Sequence, residues 1–172
     1  MLSQSIIPYQ EIIKNEKVIK YVISSAQKKL DAIREKNADA AGLIVACSVE
    51  HAKQISVLME VYFNESAVVV TYKENEPTHI IQQFRHAKTK WIISVGMSSE
   101  GTNIPRLQVC CHLTNIKTEM HFRQILGRIL RVKNSANQEA ILYMPAEPKL
   151  FEYSYRVKQM YRLKLMWLSL RR

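Results

Sequence analysis

Glycine is scarce in this chain, four in 172 residues, and none of the four belongs to a G-x-x-x-x-G-K-[ST] cradle for nucleotide phosphates. Cysteine is scarcer. Cys47, Cys110 and Cys111 are odd in number, two are adjacent within an apolar run, and none has metal-ligand spacing, so they read as buried reduced thiols. The five histidines (His51, His79, His86, His112, His121) are scattered without supporting acids or thiols. That excludes a metal site and leaves them structural or solvent-exposed. Signal peptide and apolar span of ~20 residues are both missing, which predicts a cytoplasmic chain with no membrane segment. No Ser-His-Asp or nucleophile-elbow pattern is present, and no internal repeat or low-complexity linker. Acids are outnumbered, 15 Asp+Glu against 25 Lys+Arg, for a net charge of +10. Such a balance suits a polyanionic partner, though a solubilising surface gives the same count.

What is present describes one globular domain with a real core, 47% hydrophobic and 23% charged. Residues 1–41 carry apolar positions at helical spacing (Ile12, Ile13, Val18, Ile19, Val22, Ile23, Leu30, Ile33), which predicts a long amphipathic helix after Pro8, packed on the domain. From Gly42 the pattern changes. Short apolar runs at Gly42–Cys47, Ala67–Val70, Lys90–Val95, Leu107–Leu113 and Glu139–Met144 read as buried parallel strands. Between them lie amphipathic helices. One is capped by Ser48 and runs from Val49 to about Phe63, with Ala52, Ile55, Leu58, Met59 and Tyr62 inward. Another has Pro77 at its first position and runs through His86, and a third follows Thr118. Alternating strand and helix predicts a parallel α/β sheet with helices on both faces, over 42–150. Ligands of such sheets bind at the carboxyl ends of the strands. Residues 151–172 are expected to form a basic C-terminal helix. Its segment Tyr153–Arg172 holds six basic residues, no acids, and interleaved Tyr155, Tyr161 and Trp167. Tracking a nucleic-acid backbone or lying on an anionic membrane would use those residues, but a helix with a face packed on another domain is the simpler expectation.

Two stretches carry chemistry. Gly96-Met-Ser-Ser-Glu-Gly-Thr-Asn-Ile-Pro-Arg106 holds two of the four glycines at the carboxyl end of a buried strand. Small residues there let backbone N–H groups approach a phosphate; an ordinary surface loop would read the same way. Gln124-Ile-Leu-Gly-Arg-Ile-Leu-Arg131 has the spacing Q-x-x-G-R-x-x-R. On a helix Gln124, Arg128 and Arg131 share one face, with Ile125, Ile129 and Val132 opposite. Two arginines stacked on one face repel unless a polyanion lies across from them, and guanidinium forks suit phosphate oxygens.

Strand, V-G-M-S-S-E-G-T-N-I-P (Val95–Pro105), strand, Q-x-x-G-R-x-x-R on a helix, strand: this order resembles the second RecA-like domain of a superfamily 2 helicase or translocase. It is most similar to the restriction-enzyme and DNA-repair branch, whose fifth motif reads E-G-x-D-x-P. The resemblance covers roughly Gly42–Pro145 and implies a RecA-like three-layer α/β/α sandwich with a mostly parallel central sheet, flanked by the N- and C-terminal helices. It implies that Arg131 is the arginine finger and Arg128 its companion, facing a nucleoside triphosphate across an interdomain cleft and stabilising charge on the transferred phosphoryl group. Gln124 then orients the helix or meets the nucleotide. Glu100, Gly101 and residue 103 border the nucleotide, while Ser48, Ser98 and Ser99 hold the nucleic-acid strand through its phosphates. Asn103 departs from the family's aspartate, which weakens nucleotide coupling there, and Leu130 stands where small residues are common.

The resemblance also implies what must come from elsewhere. Neither the phosphate cradle nor a D-E-x-[DH] acid tetrad is in this sequence; both belong to a first RecA-like domain. ATP with Mg2+ is then held mainly by that domain, and the chain is expected inactive by itself, as an excised piece or a subunit beside the other half. A first helix similar to an interdomain linker favours the piece. Expected partners are the first RecA-like domain, nucleic acid (DNA ahead of RNA), and nuclease or methyltransferase subunits of a restriction system. A non-catalytic RecA-like module that binds nucleic acid or a partner is the alternative.

Overall fold

The computed structural model describes residues 8–96, 104–115, 120, 140–145 and 163–168. Two helices open it, α1 (Tyr9–Lys14) and α2 (Glu16–Arg34). Then follow β1 (Ala41–Ala46), α3 (Val49–Phe63), β2 (Ala67–Thr71), α4 (Pro77–His86), β3 (Trp91–Val95), β4 (Leu107–Leu113), β5 (Ala140–Pro145) and β6 (Leu163–Leu168). The single long N-terminal helix expected from periodicity is two. Asn15 sits extended between them, and its side-chain oxygen accepts from the backbone N–H groups of Lys17 and Val18. An Asx cap satisfies the first free donors of α2 and thereby ends α1.

The strands form one sheet in the order β2-β3-β1-β4-β5-β6, and every pair is parallel. All residues of β1, β3, β4 and β5 are buried, as apolar runs covered on both faces require. Along β1 the faces alternate. Ile44 and Ala46 join Trp91, Ile93, Val109, Cys111, Ile141 and Tyr143 beneath α2 and α3, whereas Leu43 and Val45 join Ile92, Cys110 and Leu142 beneath Ile81 and Phe84 of α4. α3 leads outward from β1 to β2 and α4 leads back to β3, so right-handed crossovers place them on opposite faces. α2 supplies the largest apolar stripe, Ile19, Val22, Ile23, Ala26 and Leu30, all fully buried.

Gly42 pairs with Trp91 in register. A β-carbon at 42 would stand 2.2 Å from the Trp91 ring, so the ring folds over bare backbone. The indole Nε1–H donates to Gln27 Oε1 of α2 at 2.5 Å, which in turn donates through Nε2 to Glu65 at 2.8 Å. Lys90 completes this amino-edge network with ion pairs to Glu65 and Asp31 at 2.7 and 3.3 Å.

The expected C-terminal helix requires correction. Leu163–Leu168 is a strand, paired in parallel with β5 from Ala140↔Leu163 to Pro145↔Leu168. Leu, Lys and Met favour helices in isolation, but β5 offers a full row of backbone partners, and Met166 packs against the cluster under α2. Tyr62 is also not inward: it is 55% exposed, with the Lys20 ammonium 3.2 Å from its ring centroid.

Candidate functional site at the carboxyl edge of the sheet

In a parallel sheet all strands end on the same edge. The order β3-β1-β4 therefore sets the residues after Val95, Ala46 and Leu113 side by side, with Ser48 following the central strand. The connection leaving β1 runs toward β2 and the one leaving β4 runs toward β5, so this is the point where strand order reverses. Such a point opens a crevice for ligands.

Ser48 is the site residue whose geometry is described. It is extended (φ −155°, ψ 166°), and its Oγ accepts from the backbone N–H of His51 at 3.1 Å, capping α3 as the sequence predicts. A hydroxyl that accepts at a cap keeps its O–H as a donor, the group a phosphate oxygen needs. The imidazole of His51 closes the same turn from inside. Its Nδ1 accepts from the backbone N–H of Cys47 at 3.1 Å, and its Nε2–H donates to the Ile13 carbonyl of α1 at 2.7 Å. These partners fix the tautomer, since a carbonyl can only accept and an N–H can only donate. Burial pushes the His51 imidazole below its ordinary value; the Ile13 bond pulls the other way and the nearby Lys14 charge adds to the depression.

Gly96 follows β3 with φ +59°, a left-handed conformation, and a β-carbon there would lie 2.9 Å from the Tyr72 ring at the end of β2. Glycine is the residue such a junction tolerates. The connection that starts at Gly96 ends on the α4 face, where Ile104 is buried among the residues under α4. Arg106 anchors that end. Its Nε donates to Asp39 O at 2.9 Å, Nη1 to Phe84 O at 2.7 Å and to Ala87 O, and Nη2 to Thr89 O at 2.6 Å, with the guanidinium 4.7 Å from the Phe84 ring centroid. A cation on the last carbonyls of α4 satisfies acceptors that a helix C-terminus leaves open.

Of the other residues singled out in the sequence, Ser98, Ser99, Glu100, Gly101, Asn103, Gln124, Arg128 and Arg131 lie outside the described residues. His51, read in the sequence as structural or solvent-exposed, is structural, but its place in the Ser48 turn was missed, as was Arg106. The signal for His51 was available: it stands three residues after the helix cap, where a polar side chain reaches back into the turn. Nothing in the sequence pointed to Arg106, whose partners are carbonyls from three separate segments. Among the described residues no cluster of His, Cys, Asp and Glu could hold a metal ion, and no helix is long and apolar enough to cross a membrane.

The model of the helicase conserved C-terminal domain matches residues 14–133. The chain is 30% identical over 131 residues to the uncharacterized protein Rv2917 of Mycobacterium tuberculosis, covering 76% of this chain and 22% of that protein. It is 36% identical over 76 residues to the DNA 3'-5' translocase XPB2 of Sulfurisphaera tokodaii, covering 43% and 17%. It thus spans about a fifth of the length of the curated relatives it matches. Among solved structures, bacteriophage T4 UvsW shares the fold with a TM-score of 0.59 at 16% identity, over 98% of this chain and 38% of that one. The parallel sheet and the family match over most of its strands converge, and the chain belongs to the helicase conserved C-terminal domain family.

Proposed function

We propose that this chain is the second motor domain of an ATP-dependent translocase that works on DNA, supplying Arg131 as arginine finger, Arg128 beside it and Gln124 on the same helix face. The observation that carries the reading is the family match itself, which runs through residue 133 and so includes the Q-x-x-G-R-x-x-R segment. In this reading Glu100, Gly101 and Asn103 border the nucleotide, and Ser48, Ser98 and Ser99 hold the strand by its phosphates. ATP and Mg2+ sit mainly on a first RecA-like domain that carries the phosphate cradle and the acid tetrad. The preference for DNA over RNA draws support from the translocase named above, a relative over part of the chain; nuclease or methyltransferase partners rest on the likeness of the E-G-T-N-I-P stretch to the restriction branch.

The test is nucleic-acid-stimulated ATPase of this chain, alone and mixed with a separately expressed first RecA-like domain. Silence alone and turnover on mixing is the expected result. In the mixture Arg131→Ala should lower turnover by roughly 10³-fold or more, the scale of an arginine finger, with strand binding unchanged. Unaltered turnover in that variant overturns the finger role. A second reading, a non-catalytic strand-binding module, is favoured by one residue, Asn103 in place of the usual aspartate. Silence in both assays with salt-sensitive DNA binding would select it.

A further inference from the structure

His51 has no part in the roles above, yet it is 2% exposed and its ring touches both the turn that presents Ser48 and the helix before the domain. Three contacts converge. The backbone N–H of His51 reaches Ser48 Oγ, its Nδ1 holds the Cys47 N–H, and its Nε2–H holds the last turn of α1 at Ile13. One turn further along α3, Gln54 Nε2 donates to Lys14 O at 3.3 Å, so α1 is tied to α3 at two successive carbonyls. The Ser48 carbonyl is also held, by the Ala52 N–H at 2.9 Å, whereas the Cys47 N–H has the His51 ring as its partner. A part-buried N–H left unpaired at Cys47 would pull the chain toward water and rotate the Ser48 hydroxyl with it.

We infer that His51 is a positioning residue for nucleic-acid binding: it fixes the Cys47–Ser48 turn in the orientation that offers the Ser48 hydroxyl to a strand phosphate, and it ties that turn to α1. The inference rests on Ser48 being a strand contact. Its mechanism is mechanical. A displacement of α1 moves the Ile13 carbonyl, the ring follows its hydrogen bond, and the Cys47 N–H and Ser48 follow the ring. The position of the helix leading into the domain and the grip on the strand are then coupled through a single imidazole.

The two nitrogens can be tested apart. In His51→Asn the side-chain oxygen occupies the place of Nδ1 and accepts from Cys47, but nothing reaches Ile13. In His51→Gln the amide occupies the place of Nε2 and donates to Ile13, but Cys47 loses its acceptor. The measurements are fluorescence anisotropy of the full chain with a labelled single-stranded oligodeoxynucleotide and amide hydrogen exchange over residues 9–14, with Ser48→Ala as the reference. We expect His51→Gln to weaken strand binding roughly three- to tenfold, the equivalent of one hydrogen bond, with exchange over 9–14 unchanged. His51→Asn should bind within twofold of the parent and exchange faster over 9–14. If Ser48→Ala weakens binding and both His51 variants bind like the parent, or both lose affinity in step with their melting temperatures, His51 is a packing residue and the inference is overturned. If Ser48→Ala itself binds like the parent, the strand contact at Ser48 fails, and the positioning role falls with it.

Discussion

At the scale of single residues, the tightest constraint is the space above Gly42. The Trp91 ring fills it and is itself fully buried and hydrogen-bonded to Gln27. Gly42→Ala should therefore destabilise the chain by about 1–3 kcal/mol, the range for overpacking a closed core, as read by urea unfolding. His51 gives a pH signature. Its folded-state value lies below the ordinary imidazole value of 6.5, so the unfolded chain takes up the proton first as pH falls. Its contribution is complete above that ordinary value and is lost as pH drops toward the depressed one. Melting temperature should decline on acidification through this window, and less so in His51→Asn. An identical decline in the variant assigns the effect to other groups. Both residues illustrate what a sequence hides. A glycine at the start of an apolar run announces a strand, but only the register names the ring above it.

At the scale of elements, most of the chain was legible because the apolar runs are short, rich in Val and Ile, and bounded by polar residues, as at Ala67–Thr71 and Trp91–Val95. Ser48 and Pro77 marked the starts of α3 and α4 for local reasons that operate within one turn. One failure is local, the Asn15 cap that splits the N-terminal helix in two, and the others are tertiary. The residues of β6 are strand because β5 is beside them, and Tyr62 is outside because Lys20 covers its ring. Leu165→Pro tests the β6 pairing. A proline cannot donate to a strand ladder, so pairing with β5 should weaken and stability should fall by about 1 kcal/mol, the scale of one lost backbone hydrogen bond, as read by urea unfolding. Arg106 makes a second prediction at this scale, since it gathers carbonyls from the approach to β1, from α4 and from the approach to β3. Arg106→Met keeps the stem and removes the fork. It should destabilise by about 2–4 kcal/mol, because several carbonyls lose a charge-assisted partner together.

At the scale of the whole molecule, the family was legible and the working geometry was not. Two short motifs at the family's separation pointed to a RecA-like domain, and the sheet and the family match agree. In the proposed role, the facing of Arg128 and Arg131 would be set by an interface between domains, which local sequence pattern does not encode. The net charge of +10 does carry a prediction here. If the carboxyl edge grips phosphates, strand affinity should fall steeply and linearly on a logarithmic salt axis, with a slope that counts the phosphates neutralised. A flat salt profile would argue for a partner other than nucleic acid.

The placing of α2 has a consequence for how the chain is made. Its buried stripe rests on β4 and β5, strands that lie some 75 residues or more further along the sequence. A ribosome releases this helix early and the floor it lies on late. Until β4 and β5 follow, Ile19, Val22, Ile23 and Leu30 have only part of their native surface, that of β1 and α3, and loop closure over so long a stretch is slow. The nascent chain is thus exposed to aggregation until β5 emerges, and the element that seals the core first in sequence seals it last in time.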